Sequence, residues 1–410
     1  MLQNHDLQSA TPVGSPDLRA PAPSMLPAWF LALGTFAIGT EGFMIAPLLP
    51  TIAGDLAMSL SATAMLVVVF TLVLALSSPV ATVLTARLRR RDTLLLAMSV
   101  FMGGNLIAAF APRFDTLILA RILMAVAAGL YAPNANALAG MIVPSEKRGR
   151  ALAIVSGGMT IAIALGLPLG SVIGHAFGWR ATFLMVAGMS AIAVIGILFG
   201  VERQAGAHMA IPSLAQRIGV VRRKPVLQLL SVTLFWSMGA YTAYPYIAPY
   251  LSGTLGLGDI GIAATVTLWG IFAAFGVFAG GALNDRFGSS TVASLSLVAL
   301  ATSFAFLALA TILPAAAAFL LALLAVAGWG FSVWSFFPAQ MARLIVAGGQ
   351  SQASLALSLN TSTMYLGFSI GSALGAGIIA GGGVWMIGAA AAAMEILALL
   401  LNGLWSRSKS

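Results

Sequence analysis

Glu41 stands alone as a carboxylate about half-way along an uncharged run from Trp29 to Leu49, a run long enough to cross a bilayer. A charge at that depth costs about 2.5–3.5 kcal/mol on insertion scales, so retaining one asks for a functional reason. The chemistry open to such a carboxyl is to load and release a proton. The competing role is packing, with the carboxyl neutral or paired to hold two helices together. Arg121 and Glu395 are the other charges set well inside apolar runs. At a rise of ~1.5 Å per residue, Glu41 lies about 10–12 Å below the far surface of a ~30 Å core. Arg121, on a run that descends from near Phe114, lies about 10 Å below the same surface. Equal depth makes the two a possible pair, and a pair has two opposing influences on its carboxyl. Burial disfavours the charged form, whereas a neighbouring guanidinium favours it, and the guanidinium itself stays protonated. A balance that shifts with conformation is what a proton carrier needs.

The elements that hold these charges follow from composition. Residues are 60% hydrophobic and 8% charged, where soluble domains carry about 25% charged residues. Long apolar runs rather than alternating ten-residue segments predict an all-α integral membrane protein. The runs fall near 28–49, 62–86, 93–111, 114–141, 149–173, 180–200, 226–251, 260–283, 290–312, 314–341, 352–380 and 384–404, which makes twelve spans. Residues 1–27, with Pro12, Pro16, Pro21, Pro23 and Pro27, read as a disordered cytoplasmic tail, and the following run is too long for a signal-peptide core. Residues 201–225 form a basic cytoplasmic linker between two six-helix bundles, 28–200 and 226–404, and 405–410 form a second cytoplasmic tail. Within the linker, Ser213 to Val220 fits either a short surface helix or a loop.

The net charge of +9 encodes topology rather than a nucleic-acid partner. With both termini inside, all of the 20 Lys and Arg residues except Arg113, Arg121 and Arg180 fall on cytoplasmic segments, the positive-inside pattern. The chain has no cysteine, and its histidines, His5, His175 and His208, are far apart. No metal site or cofactor and no enzymatic constellation of nucleophile, base or metal ligands is indicated. No nucleotide-binding loop is present, so coupling to ATP would need a separate subunit.

Two features repeat at nearly one offset. Gly166, Gly170 and Gly174 recur as Gly367, Gly371 and Gly375, and the segment Ala86-Arg87-Leu88-Arg89 aligns with Asp285-Arg286-Phe287-Gly288. A duplicated six-helix unit with parallel halves accounts for both. Glycine at every fourth position lets a neighbouring helix approach until backbones touch, and its repetition points to an interface between the halves.

These motifs resemble the major facilitator superfamily and, within it, the twelve-span drug:proton antiporter family, over about residues 28 to 404. Gly281, Asp285, Arg286 and Gly288 look like the family's G-x-x-x-D-R-x-G loop, which ties the cytoplasmic helix ends together. The matching first-half loop departs, with Thr82 and Ala86 at the glycine and aspartate positions. Its Arg87, Arg90 and Arg91 can still set topology and hold a helix C-terminus. Leu117 to Gly129, around Arg121, is similar to the fourth-span motif in which a buried arginine is linked to proton coupling. Gly158, Gly166, Pro168, Gly170 and Gly174 resemble the fifth-span motif associated with exporters. Gly39 to Pro50 and Gly178-Trp179-Arg180 also match. The resemblance implies spans one and four around a central cavity, a monomer, and location in a bacterial inner membrane.

On the spans that line that cavity in the resembling fold, Trp236, Tyr241, Tyr244, Trp329 and Trp334, with the polar Asn360, are candidate substrate contacts. Tyr246, Phe336 and Phe337 lie nearby in sequence. Aromatic faces with hydroxyl or indole donors suit flat or amphipathic solutes, although such residues also fill helix interfaces. Glu395, on the peripheral last span, reads first as a packing residue. The expected function is proton-coupled efflux of a small molecule (drug, sugar, nucleoside or related metabolite) through Glu41 and Arg121. An uncoupled facilitator or a proton-linked importer on the same fold is the alternative.

Overall fold

The computed structural model describes residues 25–85, 88–203, 223–349 and 352–407. Most of the amino-terminal tail, Ala86 and Arg87, the linker segment Ser213 to Val220, and Lys409 lie outside the described residues. Among these residues twelve helices are long and apolar enough to cross a membrane: α1 (Leu26–Asp55), α2 (Leu60–Ser78), α3 (Arg90–Ala109), α4 (Phe114–Ala139), α5 (Arg148–Gly166), α6 (Trp179–Gly200), α7 (Lys224–Leu255), α8 (Asp259–Phe287), α9 (Ser289–Ala310), α10 (Ala315–Gly348), α11 (Leu355–Ala380) and α12 (Val384–Leu404). Twelve alternating crossings bring both chain ends to one face, the terminus side, opposite a far side.

The packing repeats. In the first half α1 lies against α5 and α6, α3 against α4 and α6, and α2 against α4; adding six to each number gives the contacts of the second half. The halves meet through α2 with α11 and, symmetrically, α8 with α5, while α1 touches the far-side part of α7. The central helices are accordingly the most enclosed, with 83% of the apolar window of α1 and 72% of that of α7 buried, against at most 56% for any other span. Large apolar side chains such as Phe199, Phe278 and Leu404 point outward, the surface a lipid bilayer would cover.

Proline shapes the helices at the centre. A proline in a helix cannot donate to the carbonyl four residues earlier, so Pro47 leaves Phe43 O free and Pro133 leaves Gly129 O free. Two hydroxyls fill the gaps: Tyr244 donates to Phe43 O at 2.9 Å and Ser78 to Gly129 O at 3.0 Å. In α5 the same defect is handled by geometry. Residues Ala162–Gly166 form a π-helical turn before Pro168, and the helix continues as Leu167–Phe177. Gly270 of α8 lies against the carbonyls of Ile163 and Ala164 in this turn.

The glycine stripes correct one expectation. They pack within each half rather than between the halves. Gly166, Gly170 and Gly174 face Thr40, Met44 and Leu48 of α1, and Gly367, Gly371 and Gly375 face the backbone of Leu234, Met238 and Thr242 of α7. Both partners advance by about four residues, so one helix row lies along the other, and a Cβ on Gly170 would run into the Cβ and Cα of Met44. Each stripe holds its half's central helix; a stripe alone says that something comes close, not which helix it is.

Candidate functional site

Glu41 on α1 and Arg121 on α4 form an ion pair between Oε1 and Nη1, with both side chains sealed from solvent. The guanidinium is held from the other side by α2: its Nε donates to Leu66 O at 3.0 Å and its carbon lies 4.1 Å from the centre of the Phe70 ring. Three helices of one half therefore converge on the pair. A buried pair of this kind gains Coulomb attraction and loses hydration of both ions, so its net contribution to stability is small even though breaking it is costly.

On the opposite side of α1, Phe43 projects into the second half. Its ring meets Tyr244 edge-on at 5.9 Å, Trp334 at 6.0 Å and Trp269 at 6.3 Å. Tyr241 stacks on Phe368 at 3.6 Å, and Trp269 meets Trp329 at 5.8 Å. Together with Trp236, Ala240 and Val333, these rings line a cavity of about 10 Å³, at the lower limit for a single water. Glu41 stands two residues from Phe43 on α1, which puts the ion pair on the side of that helix away from the cavity.

Five of the six candidate contacts, Trp236, Tyr241, Tyr244, Trp329 and Trp334, line this cavity. Asn360 does not: it is buried and accepts a 2.7 Å hydrogen bond from Thr233. Thr233 in turn accepts from Gln340, whose Oε1 takes a bond from Arg343. This polar chain ties α7, α10 and α11 together on the terminus side of the rings. Tyr246 is likewise committed elsewhere, donating to Ser372 O at 2.5 Å, and Phe336 stacks behind Trp236. The sequence reading missed Phe43, Trp269 and Phe368. Phe43 carried a usable signal, because two residues along a helix from Glu41 it must face away from it.

Glu395 is fully buried on α12, and its Oε1 occupies the space that a Cβ on Gly239 of α7 would take. Neither carboxyl oxygen has a hydrogen-bond partner among the described residues. At the helix ends, Asp285 and Arg286 are exposed, and the Arg286 guanidinium lies 5.3 Å from the Phe287 ring. A Cβ on Gly281 would meet nothing within 4 Å, whereas Gly288, with φ of 81°, supplies the left-handed turn that joins α8 to α9. In the first half Arg90 bonds Asn134 and Arg91 donates to Leu198 O at 2.5 Å, in the last turn of α6. Arg223 does the same to Gly348 O at the end of α10, at 3.0 Å. Both arginines thus meet the negative end of a helix. On the far side Asp55 accepts from Trp179 at 3.2 Å and Arg180 at 2.5 Å, clasping α1 to α6.

Comparison with known proteins agrees with this architecture. The family model described as Major Facilitator Superfamily matches residues 31–372. The chain is 30% identical over 376 residues to the inner membrane transport protein YdhP of Escherichia coli O157:H7, covering 92% of this chain and 94% of that protein. It is 31% identical over 263 residues to a chloramphenicol resistance protein of Streptomyces lividans, 64% of this chain and 67% of the relative. Among solved structures, a bacterial homolog of the human lysosomal transporter Spinster, in an inward-facing and unoccupied conformation, aligns with a TM-score of 0.73 at 17% identity. That alignment covers 93% of this chain and 96% of the other, and it supports the fold alone. Twelve apolar helices in two related halves, a family match across most of the chain and transporters as relatives lead to one statement: the chain belongs to the Major Facilitator Superfamily and is a membrane transporter, not an enzyme.

Proposed function

We propose that this transporter exports a small molecule from bacterial cells in exchange for protons, with Glu41 as the proton carrier and Arg121 as the group that sets its proton affinity. The observation that carries the reading is the desolvated Glu41–Arg121 pair. Apolar side chains of similar volume would hold three helices together at no loss of stability, so a purely structural role gives no reason for the charges. Protonation of Glu41 would leave Arg121 with Leu66 O and the Phe70 face, loosening α1 from α2 and α4. Because α1 also carries Phe43 into the second half, a change at the pair can reach the ring cluster that closes the pathway.

Export rather than import is supported by the exporter-type glycine and proline pattern of α5 and by the chloramphenicol resistance relative. A cytoplasmic terminus side, from the placement of basic residues, puts the closed ring cluster toward the outside. The halves 28–200 and 226–404 are taken to move as units, and a single chain is taken to suffice.

The test uses purified protein in acid-loaded proteoliposomes with an internal pH dye, and compounds including chloramphenicol added outside. Substrate-evoked proton efflux is expected in the wild type and not in Glu41→Gln. Compound uptake without proton movement in either protein would make this an uncoupled facilitator.

A further inference from the structure

Four tryptophans line the small cavity described above, between Phe43 and the second half: Trp236 on α7, Trp269 on α8, and Trp329 and Trp334 on α10. All four indole nitrogens are buried, and none has an acceptor among the described residues. Trp179, also buried but at the far-side end of α6, provides the contrast, since its indole donates to Asp55 at 3.2 Å. A buried N–H without an acceptor is costly, and phenylalanine would give similar apolar packing without that cost. Four such donors around a single cavity have a use if a bound molecule supplies the acceptors.

The cavity offers little to a cation. The nearby carboxylate, Glu41, is held by Arg121. Aromatic faces can bind cations, but here faces are covered by the edges of neighbouring rings, as in the contacts of Phe43 with Tyr244 and of Tyr244 with Trp329, at 88° and 82°. We infer that the cavity selects uncharged, ring-bearing solutes rich in carbonyl, nitro or hydroxyl oxygens, which the indole N–H groups of Trp236, Trp269, Trp329 and Trp334 recognise. The inference rests on the transport reading of this cavity and deepens it by naming the substrate class. At about 10 Å³ the site is closed around its own rings, so such a solute enters by parting Phe43 from the second half.

The test is equilibrium binding to purified protein in detergent, which needs neither a proton gradient nor a transport direction. Its failure is therefore separable from failure of proton coupling. Chloramphenicol and uridine serve as uncharged, acceptor-bearing probes and tetraphenylphosphonium as a cation without acceptors. Trp269→Phe and Trp334→Phe keep a ring and delete one donor each. Saturable binding of at least one uncharged probe is expected, about fivefold weaker in each variant, as loss of one neutral hydrogen bond gives. Thermal stability without ligand is expected to hold, since the deleted N–H bonds nothing in the protein. Wild-type preference for tetraphenylphosphonium, no saturable binding of either uncharged probe, or variants that bind it as the wild type does would each overturn the inference.

Discussion

Glu41 and Phe43 lie two residues apart on α1 and face different halves of the molecule. Glu41 turns to Arg121 of its own half, whereas Phe43 meets Tyr244, Trp269 and Trp334 of the other. Side chains two apart on a helix point to nearly opposite sides, so only about half a turn of α1 separates the ion pair from the ring cluster. Any rotation or shift of α1 that follows a change at the pair is transmitted to the contact between the halves without an intervening element.

The pair itself can be weighed by removing its members singly and together. Arg121→Met leaves the Glu41 carboxylate buried without its partner and should lower stability by about 3–5 kcal/mol. Adding Glu41→Gln to that variant should restore most of the loss, because no uncompensated charge remains. Thermal unfolding of the purified proteins reads both. Additive losses in the double variant would mean that the two charges do not stabilise each other.

A second cycle tests the link between the halves. Tyr244 donates to Phe43 O, a carbonyl that Pro47 leaves without its helical donor. Tyr244→Phe should cost about 1–3 kcal/mol, because it orphans a buried acceptor. In a Pro47→Ala background the amide at position 47 can take that carbonyl, and Tyr244→Phe should then cost appreciably less. The difference is measured as coupling in a double-mutant cycle; equal costs in both backgrounds would show that the hydroxyl does not act by filling the proline gap.

The fold and half of this site were legible in the chain for a physical reason. Depth follows from a constant rise per residue, so Glu41 and Arg121 could be matched by counting, and span lengths followed from runs of apolar residues. Azimuth between distant helices does not follow. Asn360 sits on a helix beside the cavity yet is turned to Thr233, and Trp269 lines the cavity from α8, a helix whose aromatic content drew no notice. The glycine stripes marked a close approach correctly but not its partner, because a surface without side chains fits any helix that comes near.

Those stripes make sharp stability predictions. A Cβ at Gly157 would meet nothing within 4 Å, whereas a Cβ at Gly170 would overlap Met44. Gly157→Ala should therefore be tolerated or stabilise α5 by about 0.5–1 kcal/mol through the lower entropy of alanine. Gly170→Leu should destabilise by about 1–3 kcal/mol or more, as overpacked cores do, and should reduce transport by moving α5 away from α1. Equal behaviour of the two variants in unfolding and in transport would remove the α1–α5 contact from the mechanism.

Glu395 separates burial of a carboxyl from participation in coupling. It is as buried as Glu41, but it packs against Gly239 on α7 and no arginine, lysine or histidine pairs with it among the described residues. Glu395→Gln keeps the shape and loses no ion pair, so it should leave substrate-evoked proton movement within about twofold of wild type, while Glu41→Gln abolishes it. The same proteoliposome measurement compares the two. If Glu395→Gln abolished proton movement while Glu41→Gln retained it, the coupling carboxyl would be the one against α7, and the Glu41–Arg121 pair would be left with a structural role.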